Sequence, residues 1–535
     1  MDKIYLTGVL ASFLLYVLVG NYAGRRVENV EDYYVSGRNA PTILILGTLV
    51  ASAMSTVSFM GDAGWAYGGA FIVDMGTGMV QSYGFLAGAL IFGRFLRRSE
   101  VLTSAEYFKK RFDSAVIQKL IAVIVVVAIG GYLVSVTKGV ALMFSMLLNG
   151  NYVLALLIVW GVYTSFTFYA GSKGVLLTDT IMFVLFFCIA VVCAPVIIEN
   201  VGGWSHVMET LTSSDIKEGI LSFGGVPGSY RSDFEAFAWM MATGLTWGIC
   251  FAVSPWQAGR YMMARDEHVI MRVGSIAAIF SVLIMLTVTM SAVSVNVVNS
   301  SIDPPEQVLV WAALNLMPEW LGILLLSGIA AAGLSTCSTF LQIIGNTFTR
   351  DIINVTKTDE AHAKGTLKIS RLVMLVFGIL SLVLTYFQPS AVLTIAIFAG
   401  TLIAASLGAV SFASVWSKRL TKLGALLGIL GGFVGSLAVN FLENIVGMNI
   451  PAYFGPFYVG TLLSIIGLIV GSLLSKVTDE EREYREFLHR EPAGLRDHGQ
   501  LAKTLKYPIF AVVLGVVVMI FMIVCYSIPY NDLIA

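Results

Sequence analysis

Residues 331–341 read AAGLSTCSTFL and lie inside a long apolar run, 320–348. Five consecutive side chains in it, Ser335 to Thr339, carry a hydroxyl or a thiol. Ala332, Ser335, Thr336 and Thr339 fall at i, i+3, i+4 and i+7, on one face of a helix, with Ser338 at the edge of that stripe. Bare hydrocarbon would be a poor home for these groups. Two readings stand. The oxygens coordinate a hard monovalent cation such as Na+, or the hydroxyls bond back to their own helix at a packed interface.

The rest of the chain sets the context. It has 535 residues, of which 57% are hydrophobic and 12% charged, with a mean hydropathy of +0.83. Apolar runs of about 20 residues, enough to cross a bilayer, recur along nearly its whole length. The fold class expected is an all-α polytopic membrane protein, because a barrel would show short alternating segments instead. Formal net charge is zero, so nothing points to nucleic acid. The five cysteines lie in apolar segments without a CxxC pair, which argues against a disulfide frame or a thiolate metal site. The histidines are expected in loops, against a histidine proton relay. No catalytic cluster or nucleotide loop suggests an enzyme.

About fourteen candidate spans can be drawn, at 4–24, 41–65, 72–95, 116–148, 152–171, 175–200, 234–258, 272–298, 318–348, 370–388, 390–416, 421–442, 453–475 and 507–529. The first is followed by Arg25 and Arg26, which suits a retained span with its N-terminus outside rather than a cleaved leader. On that orientation, only Lys3, Lys217 and Arg231 of the 33 Lys and Arg fall in outer loops, while Lys138 falls within a span. The positive-inside rule then puts both termini outside, in a plasma membrane. Residues 1–535 read as one transmembrane domain. The largest hydrophilic stretch, 478–500, is expected to be a solvated helix and turn. Spans two to six and seven to eleven make two blocks of five in opposite orientation, residues 41–200 and 234–416, with 417–535 as additional helices. That is the arithmetic of an inverted repeat.

Three spans carry unusual polar residues. The second, PTILILGTLVASAMSTVSFMGDAGWAYGGA from residue 41, holds Ser52, Ser55, Thr56 and Ser58, followed by Gly61, Gly64, Gly68 and Gly69. Such a helix can break at mid-membrane and free its carbonyls for a cation, or it can pack through its small residues. The sixth opens with Asp179 about 7–8 Å inside the apolar stretch at 1.5 Å per residue. It is either an acid favoured by the helix dipole, or a cation ligand meeting Ser338 and Thr339. Lys138 lies about 15 Å from the end of its span, where a lone lysine costs about 2.5–3.5 kcal/mol on insertion scales. It pairs with an intramembrane acid (Asp62, Asp74, Asp179, Asp233 or Glu235), meets a substrate carboxylate, or itself carries a proton or stands in for a cation. The substrate carboxylate is the preferred partner.

Five stretches together resemble the sodium/solute symporter family, which includes proline, pantothenate, sugar, sialic acid and monocarboxylate transporters. They are ASAMSTVSFMG (51–61), VLTSAEYFKKRF (101–112), TDTIMF (178–183), WGICFAVSPWQAGRYMMARDE (247–267) and AAGLSTCSTFLQIIGNTFTRDI (331–352). The fourth includes Trp247, Gly248, Pro255 and Arg260, spaced as in proline-transporter-like members. The resemblance implies a LeuT-type five-plus-five inverted repeat with one extra N-terminal and three extra C-terminal helices. It implies a sodium site formed by the carbonyls of Ala51, Met54 and Ala332 and the side-chain oxygens of Ser335 and Thr336. It also implies a second sodium site at Asp179, Ser338 and Thr339, with Ser335 shared. A solute pocket would draw on Ser55, Thr56, Ser58, Gln81, Lys138 and Trp247. The function expected is Na+-coupled symport of a small organic solute, preferably a monocarboxylate or similar anion. The alternatives are an amino acid such as proline, or a proton-coupled or sensor-like member of the fold.

Overall fold

The computed structural model describes residues 3–24, 30–213, 216–353, 363–387 and 392–534. Among these, helices dominate and the sole strand-like pairing is an isolated bridge between Ala40 and Ala264. The elements that matter below are α1 (Lys3–Gly24), α2 (Thr42–Ala51), α3 (57–70), α4 (Phe71–Ala87), α5 (Ala115–Leu147), α6 (Tyr152–Asn200), α7 (Asp233–Val253), α8 (Pro255–Met263), α9 (Glu267–Ser294), α10 (Glu319–Thr347), α11 (Ala363–Phe387), α12 (Val392–Trp416), α13 (Lys422–Asn444), α14 (Pro456–Leu474), α15 (Asp479–His489) and α16 (His498–Met522).

Twelve described helical stretches are long and apolar enough to cross a membrane, and Thr42–Ala51 and Tyr152–Ser165 are shorter apolar helices. The difference from the fourteen expected has local causes. Residues 52–56 interrupt the second span, and α3 runs on into α4 through a bend at Gly69 (φ 134°). Likewise α6 turns at Gly171 (φ 54°, ψ −166°), so two expected spans share one helical run.

Burial sorts the helices. The apolar window of Glu319–Ile353 is 89% buried, whereas that of His498–Ile534 is 17% buried. The hydroxyl-bearing helix α10 is therefore central, and its polar stripe faces protein rather than lipid. The peripheral helices α13 and α14 pack through small residues, as membrane helices do where backbones approach closely. A Cβ on Gly471 would come within 2.6 Å of the Gly424 Cα.

The hydrophilic stretch after residue 476 corrects its expectation. It does form a helix, α15, started by a capping box between Thr478 and Glu481. It is docked rather than merely solvated. Buried Arg111 donates to the Ser414 carbonyl at 2.7 Å and the Glu481 carbonyl at 3.0 Å, tying α12 to α15. Arg98 holds Glu267 with two bonds, 2.6 and 2.9 Å, and donates to the Leu488 carbonyl. The histidines also depart from a simple loop placement. His268 lies in the first turn of α9, buried, against Thr504 Oγ1 and the Gly494 carbonyl. His206, His489 and His498 lie on helices, and His362 is outside the described residues.

Candidate ion and solute site

The interruption after α2 has a specific chemical consequence. Ala53 and Met54 both direct their N–H groups to the Val50 carbonyl, and the Ser55 N–H, the helical donor for Ala51, makes no bond to the Ala51 carbonyl. That carbonyl meets α10. Ser335 Oγ lies 3.0 Å from the Ala51 oxygen and 2.9 Å from the Ala332 oxygen, and Thr336 Oγ1 lies 3.4 and 3.0 Å from the same pair. Ala51, Ala332, Ser335 and Thr336 are all 0% exposed. Two carbonyls and two hydroxyls thus converge at the junction of a broken helix with the central helix. Each hydroxyl can rotate its proton away and turn a lone pair inward, so the group can offer four neutral oxygens to a dehydrated cation. Four of the five residues expected at the first ion site meet here. The fifth, Met54, is buried on the same broken segment.

The residues expected at a second ion site are arranged differently. Asp179 and Thr339 come together, but Arg260 stands between them. Its Nη2 lies 3.2 Å from Asp179 Oδ2 and 2.5 Å from Thr339 Oγ1. Thr48 Oγ1 donates to the same carboxylate oxygen at 2.6 Å. Ser338 turns away and donates to the Ser335 carbonyl at 2.8 Å, the back-bonding arrangement. Arg260 gets there because the chain breaks again at Ser254 (φ −60°, ψ 154°), and Pro255 starts α8, which carries the guanidinium inward to 2% exposure. A span drawn to end at residue 258 leaves Arg260 in a loop. The dipeptide Ser254–Pro255 is the signal for the break.

The expected solute residues divide. Trp247 lies against Tyr132, with ring centroids 5.3 Å apart, and Tyr132 also meets Phe340 at 4.7 Å and Trp256 at 5.9 Å. Ser55, whose Oγ accepts from the Val57 N–H at 3.0 Å, is buried in the break itself. Tyr132, Trp256 and Phe340 join Trp247 in one aromatic group beside both helix breaks. Sequence reasoning missed these three rings because each looks like ordinary core in an apolar run. Gln81 packs its backbone against Gly248, the neighbour of Trp247. The Thr56 hydroxyl donates to the Val136 carbonyl at 3.1 Å and pins the break to α5. Ser58 is buried on α3. Lys138 stands six residues beyond Tyr132, about 9 Å along the helix. The acid whose charge reaches it is Glu306, which is not among the acids expected as its partner. Glu306 covers α3, where a Cβ on Gly64 would come within 2.8 Å of its backbone nitrogen.

The openings that lead toward this site differ in size, although the arginine-rich end carries a surface cleft of about 480 Å³ between Arg97, Glu267 and Phe487. A cavity of about 550 Å³ reaches in past the stacked indoles of Trp65 and Trp239 (centroids 5.1 Å, interplanar angle 3°) to Thr243 and Thr246, the residue before Trp247. The cleft at the Arg260 end holds about 40 Å³. There Gln342 Nε2 donates to the Tyr33 carbonyl at 3.2 Å and to Ser172 Oγ at 2.9 Å, and Ser172 donates to the Tyr34 carbonyl at 2.6 Å.

The family model for the sodium:solute symporter family matches residues 33–432. The chain belongs to that family, and Na+ is its coupling ion. Among curated relatives, the sodium/proline symporter of Escherichia coli (strain K12) is 25% identical over 90% of this chain and 95% of its own length. The high-affinity proline transporter PutP of Bacillus subtilis (strain 168) is 24% identical over 88% of this chain and 99% of its own. A substrate-bound, outward-open Na+-coupled sialic acid symporter superposes with a TM-score of 0.74 at 19% identity, covering 89% of this chain and 99% of that one. The nucleobase-cation-symport-1 family transporter Mhp1, in a closed conformation, superposes with a TM-score of 0.53 at 11% identity over 85% of this chain and 98% of its own. These likenesses give the symporter a LeuT-type fold.

Proposed function

We propose that this symporter couples entry of one small carboxylate-bearing solute to Na+ bound by Ala51, Ala332, Ser335 and Thr336, with a proline-like amino acid as the solute. The observation that carries the ion assignment is the Ala51 carbonyl, released by the helix break and met by two hydroxyls of α10 within 3.0–3.4 Å. Na+ there ties the broken segment to the central helix and so organises the adjacent aromatic group. Tyr132, Trp247, Trp256 and Phe340 suit a compact apolar ring or chain. Ser55 and the open ends of α2 and α7 supply polar contacts for a carboxylate and an amine.

An amino acid takes precedence over a plain monocarboxylate for two reasons. Several relatives are named sodium/proline symporters, and the charge of an acid, Glu306, already acts on Lys138. A monocarboxylate remains the second reading, favoured by the same lysine should the solute displace Glu306 from it. With both termini outside and the arginine-rich end in the cytoplasm of a plasma membrane, the large cavity is extracellular and the molecule is outward-facing. The breaks at residues 52–56 and at Ser254 fall at matching places in the proposed halves 41–200 and 234–416, which supports an inverted repeat. Alternating access then needs the Tyr33–Gln342–Ser172 closure to open.

The test is competition of a solute panel (proline, other small amino acids, acetate, lactate, pyruvate) against radiolabelled proline in cells expressing the protein, in Na+ and in choline. Sodium-dependent proline uptake, inhibited best by cyclic amino acids, is the expected result. Uptake of lactate or acetate without proline would reverse the order of the two readings.

A further inference from the structure

A second cation already sits beside α10, and it belongs to the protein. We propose that the Arg260 guanidinium takes the position that a second Na+ would occupy, which limits this transporter to one Na+ per cycle. The proposal rests on the reading of Ala51, Ala332, Ser335 and Thr336 as the ion site.

Of the donors that a second Na+ would need, all but one carboxylate oxygen are already engaged. The set comprises the Asp179 carboxylate, Thr339 Oγ1 and Ser338 Oγ. Asp179 Oδ2 is held at 3.2 Å by Arg260 and at 2.6 Å by Thr48, and Thr339 Oγ1 is held at 2.5 Å by the same guanidinium nitrogen. Ser338 Oγ donates to the Ser335 carbonyl, and the structure shows it no hydrogen bond to Asp179 or Thr339. Arg260 and Asp179 are 2% and 0% exposed, so neither can swing out to water without movement of α8. The remaining carboxylate oxygen, Asp179 Oδ1, has no hydrogen-bond partner among the described residues, nor has Arg260 Nε. One free oxygen beside a fixed positive charge is not a cage for a cation. Arginine stays protonated at any physiological pH, so this occupant cannot be discharged to admit an ion, as a lysine could. Two unit charges about 4 Å apart repel strongly enough, at an effective dielectric of about 20, to weaken Na+ binding there about 1,000-fold. The carboxylate is thus neutralised from within, and its electrostatic need for an ion is met before Na+ arrives.

The arrangement also explains why a polar stripe of this length need not mean two ions. Its outer half, Ala332, Ser335 and Thr336, faces the freed carbonyl of α2. Its inner half, Thr339, faces the guanidinium.

The decisive experiment counts ions directly by equilibrium binding of 22Na+ to the purified full-length protein, with no solute present. The expected result is one Na+ per chain, lost on Ser335→Ala with Thr336→Ala. Arg260→Ala is expected to raise the count to two, because it bares the Asp179 carboxylate. A count that stays at one in a folded Arg260→Ala protein would overturn the exclusion. If that variant does not fold, the paired Arg260→Met and Asp179→Leu variant removes both charges and is expected to keep one Na+. Two Na+ per wild-type chain, falling to one in Asp179→Asn or in that paired variant, would overturn the proposal. No saturable binding at all would overturn the underlying ion-site reading, and the proposal with it. The count tells that failure apart from the two-ion result.

Discussion

Replacing Ser335 with alanine separates an ion ligand from a packing hydroxyl. Ser335 Oγ lies 3.0 Å from the Ala51 carbonyl and 2.9 Å from the Ala332 carbonyl, and Thr336 reaches the same two oxygens at 3.4 and 3.0 Å. Without Na+, loss of Ser335 leaves the one Thr336 hydroxyl within reach of the Ala51 carbonyl, so stability should fall by about 1 kcal/mol, the net value of an ordinary hydrogen bond. With Na+, the same change removes an oxygen from a full charge. Interactions of that kind are worth about 1.5–3 kcal/mol, or about 10- to 150-fold in affinity. Thermal unfolding in detergent, in NaCl against choline chloride at equal ionic strength, reads both terms without a solute. At a Na+ concentration 100 times the dissociation constant, wild type gains about 2.7 kcal/mol. A 30-fold weaker site gains about 0.9 kcal/mol at the same concentration. The expected result is a small drop in choline and a large loss of the Na+ increment. An unchanged Na+ half-saturation in Ser335→Ala, with a drop in choline alone, would refute the reasoning and return the hydroxyl to packing.

Other expectations follow from the same geometry. In Gly139→Ala the new Cβ would come within 2.5 Å of Thr56 Oγ1. The broken segment must then shift off α5, at a cost of about 1–3 kcal/mol typical of overpacking; denaturation midpoints and the Na+ half-saturation should both worsen. For Lys138 and Glu306, the single variants Lys138→Met and Glu306→Gln should each reduce uptake, and the pair together should recover part of it if the two charges answer each other. Loss confined to carboxylate solutes in Lys138→Met, with Glu306→Gln harmless, would instead mark a solute contact. Arg111→Met removes both donors to the Ser414 and Glu481 carbonyls, so about 1–3 kcal/mol should be lost. Protease cleavage within residues 476–497 should rise accordingly.

The membrane class and the oxygen-bearing face of α10 were legible in the sequence for physical reasons. Apolar runs of bilayer length that recur along a whole chain are poorly tolerated in water, and a hydroxyl stripe at helical spacing on a buried helix must bond something. Ser335 and Thr336 could therefore be named from spacing and family resemblance together. The fate of Asp179 could not. Its neighbour Arg260 is 81 residues away in the chain and reaches it through a helix break that hydropathy averages over. Tyr132, Trp256 and Phe340 were invisible for the opposite reason. An aromatic ring in an apolar segment carries no periodic signal that distinguishes a solute wall from core. Lys138 was conspicuous, but Glu306, an acid whose charge acts on it, stands in the link before α10, outside the spans that would hold an intramembrane partner.

The central claim is that Na+ bound between α2 and α10 drives solute entry. Purified protein in proteoliposomes, given an inward Na+ gradient, should concentrate labelled proline or a small carboxylate, and Ser335→Ala with Thr336→Ala should abolish the Na+ dependence at unchanged protein incorporation. Uptake of the same size with choline in place of Na+, or full Na+-driven uptake in that double variant, would contradict it.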